Sequence, residues 1–187
     1  MPSLDPNQYL LDSTIIYSRH EVNIAIDQLA EKLNLNYLND HPVVLCVMSG
    51  GIYFTGQLLP KLKFPLEFDY VHATRYHGIT GKALTWLAKP KDMIRNRNVL
   101  ILDDILDEGI TLKAISDECI SLGAKKISIA VLVDKKINKE KPIKADYVGL
   151  SVLDRYVFGC GMDINGWWRN LPDIYSLNDA LNNVKNN

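Results

Sequence analysis

Helix-period and strand-period runs alternate along this chain. Ser18-x-x-Glu21 has capping-box spacing and predicts the start of a helix with apolar positions at Val22, Ala25, Ile26, Leu29 and Leu33. Pro42 precedes Val43-Val44-Leu45-Cys46-Val47-Met48, apolar at successive positions as in a parallel strand buried on both faces. Ser49-Gly50-Gly51 breaks that run, and residues 52–62 read as helical, with Phe54, Leu58 and Leu62 on one side. Residues 67–76 are rich in aromatic and β-branched types and read as strand. A glycine-containing connection over 77–82 leads to a short strand over 83–87, then a basic surface turn over 90–98. Val99-Leu100-Ile101-Leu102 predicts a second buried strand. The helix expected over 110–122 buries Leu112, Ile115, Cys119 and Leu122 and ends at Gly123. Residues 127–133 read as strand, 135–144 as a charged loop, and 147–152 and 156–158 as short strands. Beyond Leu177 the chain is Asn-rich and is expected to fray.

This order implies an α/β fold around a mostly parallel sheet flanked by helices, with ligands expected at the carboxyl ends of strands. A length of 187 residues fits a single domain, and 47% hydrophobic with 23% charged residues is ordinary globular composition. Lys+Arg (21) nearly balance Asp+Glu (22), so no global cationic field exists to hold nucleic acid. The apolar runs are too short to span a membrane, and Met1-Pro2-Ser3-Leu4-Asp5 lacks the basic start of a signal peptide. Cys46, Cys119 and Cys160 show no metal or disulfide spacing. Cys46 and Cys119 fall on apolar faces and are expected in the core, and the chain is expected to be cytoplasmic.

The run Val99-Leu100-Ile101-Leu102-Asp103-Asp104-Ile105-Leu106-Asp107-Glu108-Gly109-Ile110-Thr111 carries the most chemical information. Two like charges at a strand end cost several kcal/mol each if buried without partners, so they are expected outside the core, facing a polyhydroxylated, cationic or metal-bound group. The loop from Asp107 to Thr111 contains a glycine and precedes a helix. Its successive N–H groups form an anion-binding concavity assisted by the helix dipole, and Thr111 adds a hydroxyl. An anion site beside a diol-binding acid pair suits a ribose 5-phosphate. A simple helix cap or an aspartate-rich metal site are the alternatives at this level.

The same run resembles the phosphoribosyl-pyrophosphate-binding signature of the type I phosphoribosyltransferases. Val47-Met48-Ser49-Gly50-Gly51 is similar to the pyrophosphate loop of the hypoxanthine-guanine members, and Arg75-Tyr76 to the start of their mobile lid. Leu132-Val133-Asp134-Lys135 resembles their purine-reading lysine segment. Tyr156-Val157-Phe158-Gly159-Cys160-Gly161-Met162-Asp163 and Arg169-Asn170-Leu171-Pro172 resemble their C-terminal hood. The likeness runs from about Ile16 to Tyr175. It implies the type I fold, with a core over about 16–152 and a small hood over about 153–177 joined by the N-terminal segment. It also implies phosphoribosyl transfer to hypoxanthine or guanine in purine salvage, with Mg²⁺, in a homodimer or homotetramer.

The resemblance further implies the residue roles. Asp103 and Asp104 receive the ribose hydroxyls, directly or through metal-bound water, and stabilise an oxocarbenium-like transition state. The N–H groups of Asp107, Glu108, Gly109, Ile110 and Thr111 hold the 5-phosphate, and Asp107 is the general acid/base. Ser49, Gly50, Arg75, Tyr76 and Arg169 serve pyrophosphate. Lys135 donates to the purine 6-oxo group, Tyr156 stacks on the base, and Val157 and Asp163 read its edge through backbone groups. The Asp163 side chain holds a second Mg²⁺. Trp86, Trp167 and Trp168 are expected to pack rather than bind.

Three residues depart from the family pattern. Glu108 replaces a hydroxyl residue, so its side chain is expected to point away from phosphate. Ser49 replaces a basic residue, and Arg75 replaces a serine; Arg75 is expected to compensate for Ser49. A xanthine-preferring transferase and a regulator of this fold binding RNA or DNA are the alternative functions. The latter needs a basic face that the composition does not provide.

Overall fold

The computed structural model describes residues 5–75 and 84–178. The chain runs through α1 (Pro6–Leu11), β1 (Ser13–Tyr17), α2 (Arg19–Asn36), β2 (Val43–Met48), α3 (Ile52–Leu58), β3 (Glu67–Arg75) and β4 (Leu84–Ala88). It continues through β5 (Asn98–Leu106), α4 (Ile110–Ser121), β6 (Lys126–Lys136), β7 (Tyr147–Leu153), β8 (Val157–Phe158) and β9 (Ile174–Leu177). α2 starts at Ser18, whose hydroxyl and backbone exchange hydrogen bonds with Glu21 in the expected capping box.

A six-stranded sheet has the order β4-β3-β2-β5-β6-β7. All its pairings are parallel except β3 with β4. Successive residues of the central strands feed opposite faces. Val44, Leu100, Leu102, Ala130 and Leu132 pack with α2 and α3 residues such as Ile26, Leu29 and Phe54. Val43, Leu45, Val99, Ile101, Ile129 and Val131 pack with Leu112, Ile115 and Cys119 of α4. This two-sided burial is why these strands read as unbroken apolar runs. α3 connects β2 to β3 across one face, whereas α4 connects β5 to β6 across the other. The winding therefore reverses between β2 and β5, which leaves a crevice at their carboxyl ends.

A second sheet of order β1-β9-β8 is wholly antiparallel. Tyr9, Phe158, Ile164 and Leu177 form its small core, with Trp168 packed against them. Neither α1, β1 nor β9 is evident in the hydrophobic pattern. Each is four to six residues long, and β1 finds its partner only at β9, across the whole chain. The helix expected over 52–62 ends at Leu58, and a 3-10 turn over Leu59–Lys61 follows, because Pro60 cannot continue an α-helical ladder.

Candidate active site

β5 does not end at Leu102, as its apolar run suggested, but continues through both acids to Leu106, with Asp103 paired to Val131 and Ile105 to Val133 of β6. Asp103 and Asp104 are consequently buried, with 8% and 7% of their surface exposed, contrary to the expectation that two adjacent acids lie outside the core. The reason is the wall opposite them. A Cβ on Gly50 would lie 2.0 Å from Asp104 Oδ2, and one on Gly161 would lie 3.4 Å from Asp104 Cβ, so two glycine backbones close directly over that carboxylate. Backbone N–H groups satisfy part of the charge: Asp104 N donates to Asp103 Oδ1 at 3.0 Å and Ile105 N to Asp104 Oδ1 at 2.8 Å. Among the described residues, no lysine or arginine makes a salt bridge to either acid. Burial, reinforced by the Asp104 charge, pushes the Asp103 carboxyl well above the ordinary range. Burial raises Asp104 too, against hydrogen bonds from Asp103 and Ile105 that lower it. Of the two, Asp103 is displaced further toward the protonated form.

Beyond Leu106 the chain turns through Asp107, Glu108 and Gly109 into α4. Gly109 is the N-cap, left-handed at φ +79°, and makes no side-chain capping bond; the first turn of α4 carries no acidic residue. The first N–H groups of such a helix have no intrahelical partner, so they and the dipole form an anion-binding end. The Glu108 side chain turns outward, 44% exposed and 4.0 Å from Lys139 Nζ, as a phosphate cradle requires. At the matching end of β6, Lys135 Nζ lies 2.6 Å from Asp107 Oδ2, with the lysine side chain only 11% exposed.

The second sheet supplies the facing wall. Arg169 lies 2.6 Å from Asp163 Oδ1 and donates to the Gly161 carbonyl at 2.6 Å. Asp163 Oδ2 accepts from Gly166 N at 2.7 Å, and the Tyr156 hydroxyl donates to the Asp163 carbonyl at 3.1 Å. On the β2 side, the Met48–Ser49 peptide bond is cis.

One cavity of about 430 Å³ joins these parts. Ser49, Gly50, Asp103, Asp104, Asp107, Gly109, Thr111, Lys135, Tyr156, Val157, Asp163 and Arg169 all line it. Glu108 and Ile110 do not. Tyr76 and the Arg75 side chain lie outside the described residues, as does the proposed exchange of Arg75 for Ser49. A buried acid pair, an uncapped helix start and a lysine–carboxylate pair thus converge on a single space.

Residues 12–165 match the family described as phosphoribosyl transferase domain. The chain belongs to that family. This phosphoribosyltransferase is 31% identical to the hypoxanthine-guanine-xanthine phosphoribosyltransferase of Tritrichomonas foetus, over 89% of this chain and 92% of that protein. It is also 31% identical to the hypoxanthine-guanine phosphoribosyltransferase of Bacillus subtilis, over 89% of this chain and 94% of the relative. A hypoxanthine phosphoribosyltransferase structure from Staphylococcus aureus superposes with a TM-score of 0.84 at 27% identity, over 97% of this chain and 98% of that one.

The cavity of this phosphoribosyltransferase includes residues the sequence did not single out. His72 and Thr74 of β3 line it. His72 pairs in register with Met48, beside the Ser49-Gly50 turn. No motif marks these residues, because only the pairing of β3 with β2 brings them to the crevice. All three cysteines are buried and free, and burial is as expected for Cys46 and Cys119. Trp168 packs as expected, and its Nε1 donates to the Pro6 carbonyl at 2.6 Å. Trp86 packs beside the α4 core, while Trp167 is 54% exposed. No helix among the described residues is long and apolar enough to cross a membrane.

Proposed function

We propose that this chain is a purine-salvage enzyme that transfers the phosphoribosyl group of 5-phosphoribosyl-1-pyrophosphate to hypoxanthine or guanine, giving IMP or GMP and pyrophosphate. The observation that carries this reading is the Lys135–Asp107 pair at 2.6 Å, set at the same cavity end as the α4 start. The names of the relatives support the choice of base.

The 5-phosphate sits on the N–H groups of residues 107–111 with the Thr111 hydroxyl. Asp103 and Asp104 accept the ribose hydroxyls, and their charge stabilises the cationic sugar as the pyrophosphate leaves. Lys135 donates to the 6-oxo group; an ammonium has donors only and cannot accept from the amino group of adenine. Asp107 takes the proton from the imidazole ring of the base while the other ring nitrogen bonds to C1′. Tyr156 stacks on the base, and backbone groups of Val157 and Asp163 read its edge. Ser49, Gly50 and Arg169 serve the pyrophosphate, a role the family resemblance also gives to Arg75 and Tyr76.

Mg²⁺ fits this site as a companion of the donor rather than as a caged ion. Among the described residues, the two buried carboxylates that face the cavity make no salt bridge, and no cluster of three or more metal-ligating side chains is present. Mg²⁺ is commonly held by one or two carboxylates, substrate phosphates and water, and supplies neutralisation of phosphate charge. Asp103 and Asp104 would hold one ion, and Asp163 a second once Arg169 turns to pyrophosphate. A cytoplasmic location, supported by the free cysteines, completes the reading. So does a homodimer or homotetramer, supported by exposed Ile52, Phe68 and Tyr70 on α3 and the neighbouring strand.

Initial rates with four bases, the pyrophosphate donor and Mg²⁺ test the proposal. Hypoxanthine and guanine are expected to react, and adenine to fall behind by about 10³-fold or more in kcat/KM. Adenine turnover equal to that of hypoxanthine would overturn the assignment of Lys135. Xanthine is the second base to compare, since the Tritrichomonas relative is named for it as well.

A further inference from the structure

We propose that Lys141, outside the family signature, is a positioning residue that holds Asp107 and Lys135 in register; the inference rests on the function proposed above. Hydrogen-bond pairing between β5 and β6 ends at Leu106 opposite Asp134. Asp107 follows the end of β5 and Lys135 is the next residue of β6, so neither is held by that ladder, although Lys135 is paired on its other side with Val152 of β7. The loop over residues 137–146 returns Lys141 to this junction. Its ammonium donates to the Leu106 carbonyl at 2.7 Å, to the Lys135 carbonyl at 2.5 Å and to Asp134 Oδ1 at 2.7 Å. An ammonium has three protons, and three acceptors take them. One cation thereby ties the peptide preceding Asp107 to the peptide of Lys135 itself.

Burial makes this tie different from a surface contact. The Lys141 side chain is 13% exposed and that of Asp134 14%. A charge in such a place is costly unless fully hydrogen-bonded. Burial raises the Asp134 carboxyl, but bonds from Lys136 and Lys141 outweigh it and leave it below its ordinary range. The cations and anions alternate from Lys136 through Asp134 and Lys141, and from Lys135 to Asp107. The same loop touches the phosphate side as well. A Cβ on Gly109 would meet Ile143 Cγ2 at 3.2 Å and Pro142 Cδ at 3.6 Å, so the residues following Lys141 back the glycine that caps α4. Those contacts are apolar and do not need the ammonium.

Removing the ammonium is therefore expected to loosen the base end of the site more than the phosphate end. A displacement of about 1 Å between reacting groups costs roughly 10²-fold. Lys141→Met, which keeps length and loses all donors, is expected to lower kcat/KM for hypoxanthine about tenfold or more, with KM for the pyrophosphate donor changed about twofold or less. On a Lys135→Met background the further loss from Lys141→Met is expected to shrink to about twofold, because Lys141 acts through a residue no longer present. Equal losses toward base and donor, or fully additive losses in the double variant, would mean that Lys141 only supports folding, and would overturn the proposal. If Lys141→Met does not fold, Lys141→Gln retains two donors and is expected to show a smaller loss of the same kind; unchanged base kinetics there would overturn it equally. Wild-type protein inactive with both hypoxanthine and guanine would instead refute the proposed function, an outcome read separately from either variant.

Discussion

Asp103 shows how far a residue's chemistry depends on what closes over it. An isolated carboxylate ionises near its ordinary value, but here burial and the neighbouring Asp104 favour the protonated form. The folded protein therefore binds more protons at this pair than the unfolded chain once pH exceeds the ordinary carboxylate range. Stability falls as pH rises toward the raised folded value and stays reduced above it. Asp103→Asn removes that cost. Thermal melts of the unliganded variant are expected to show a midpoint raised by about 5 °C at pH 8 and by much less near pH 4. Turnover is expected to fall in the same variant, since an amide cannot give up a proton to become the anion that balances a cationic sugar. A melting midpoint lowered equally at both pH values would show that the pair is not held against an electrostatic cost.

Elements place these residues by close approach as much as by sequence motif. Gly161 lies in the left-handed region at φ +103°, and a Cβ there would sit 2.0 Å from the Gly50 carbonyl oxygen. The turn after β8 thus meets the turn after β2 backbone to backbone, with Asp104 beneath both. Gly161→Ala must strain its own backbone and push that turn away, at a cost of about 2 kcal/mol or more. Urea unfolding is expected to show the loss, and steady-state kinetics a rise in KM for the pyrophosphate donor larger than that for the base. The capping box of α2, the apolar strands and the stripe of α4 were all legible from local pattern, because hydrogen bonding within a few residues and two-sided burial leave periodic traces. The true end of β5 was not, since Asp103 and Asp104 break the apolar pattern while their backbone stays paired to β6.

At the scale of the molecule, the cavity exists because the second sheet lies across the carboxyl edge of the first. That sheet is fastened by contacts between distant parts of the chain: β1 on β9, Phe158 stacked on Tyr175 at 5.4 Å, and Trp168 Nε1 on the Pro6 carbonyl. Trp168→Phe keeps most of the ring area and loses the last bond, at about 1 kcal/mol. Hydrogen exchange is expected to quicken in residues 6–17 and 174–177 while β2 and β5 stay protected, and base KM to rise about two- to fivefold with it. Uniform protection across both sheets would show that this fastening is not local. The acid pair and the α4 loop stood out before any fold was known, because an anion cradle needs particular residue types at close spacing, whereas Lys135 stood out only through the resemblance of Leu132-Val133-Asp134-Lys135 to a family segment. Position along the chain carried no such signal for His72, Thr74 or Lys141. Strand register brought the first two to the crevice, and a returning loop buried the third among three oxygen atoms. Local order alone was enough for α2, α4, the apolar strand centres and the reactive run, since those follow from nearest-neighbour forces. How far each carboxyl is shifted, which lysine is buried and which distant strand closes the site depend on desolvation and long-range pairing, and both arise only once the chain has folded.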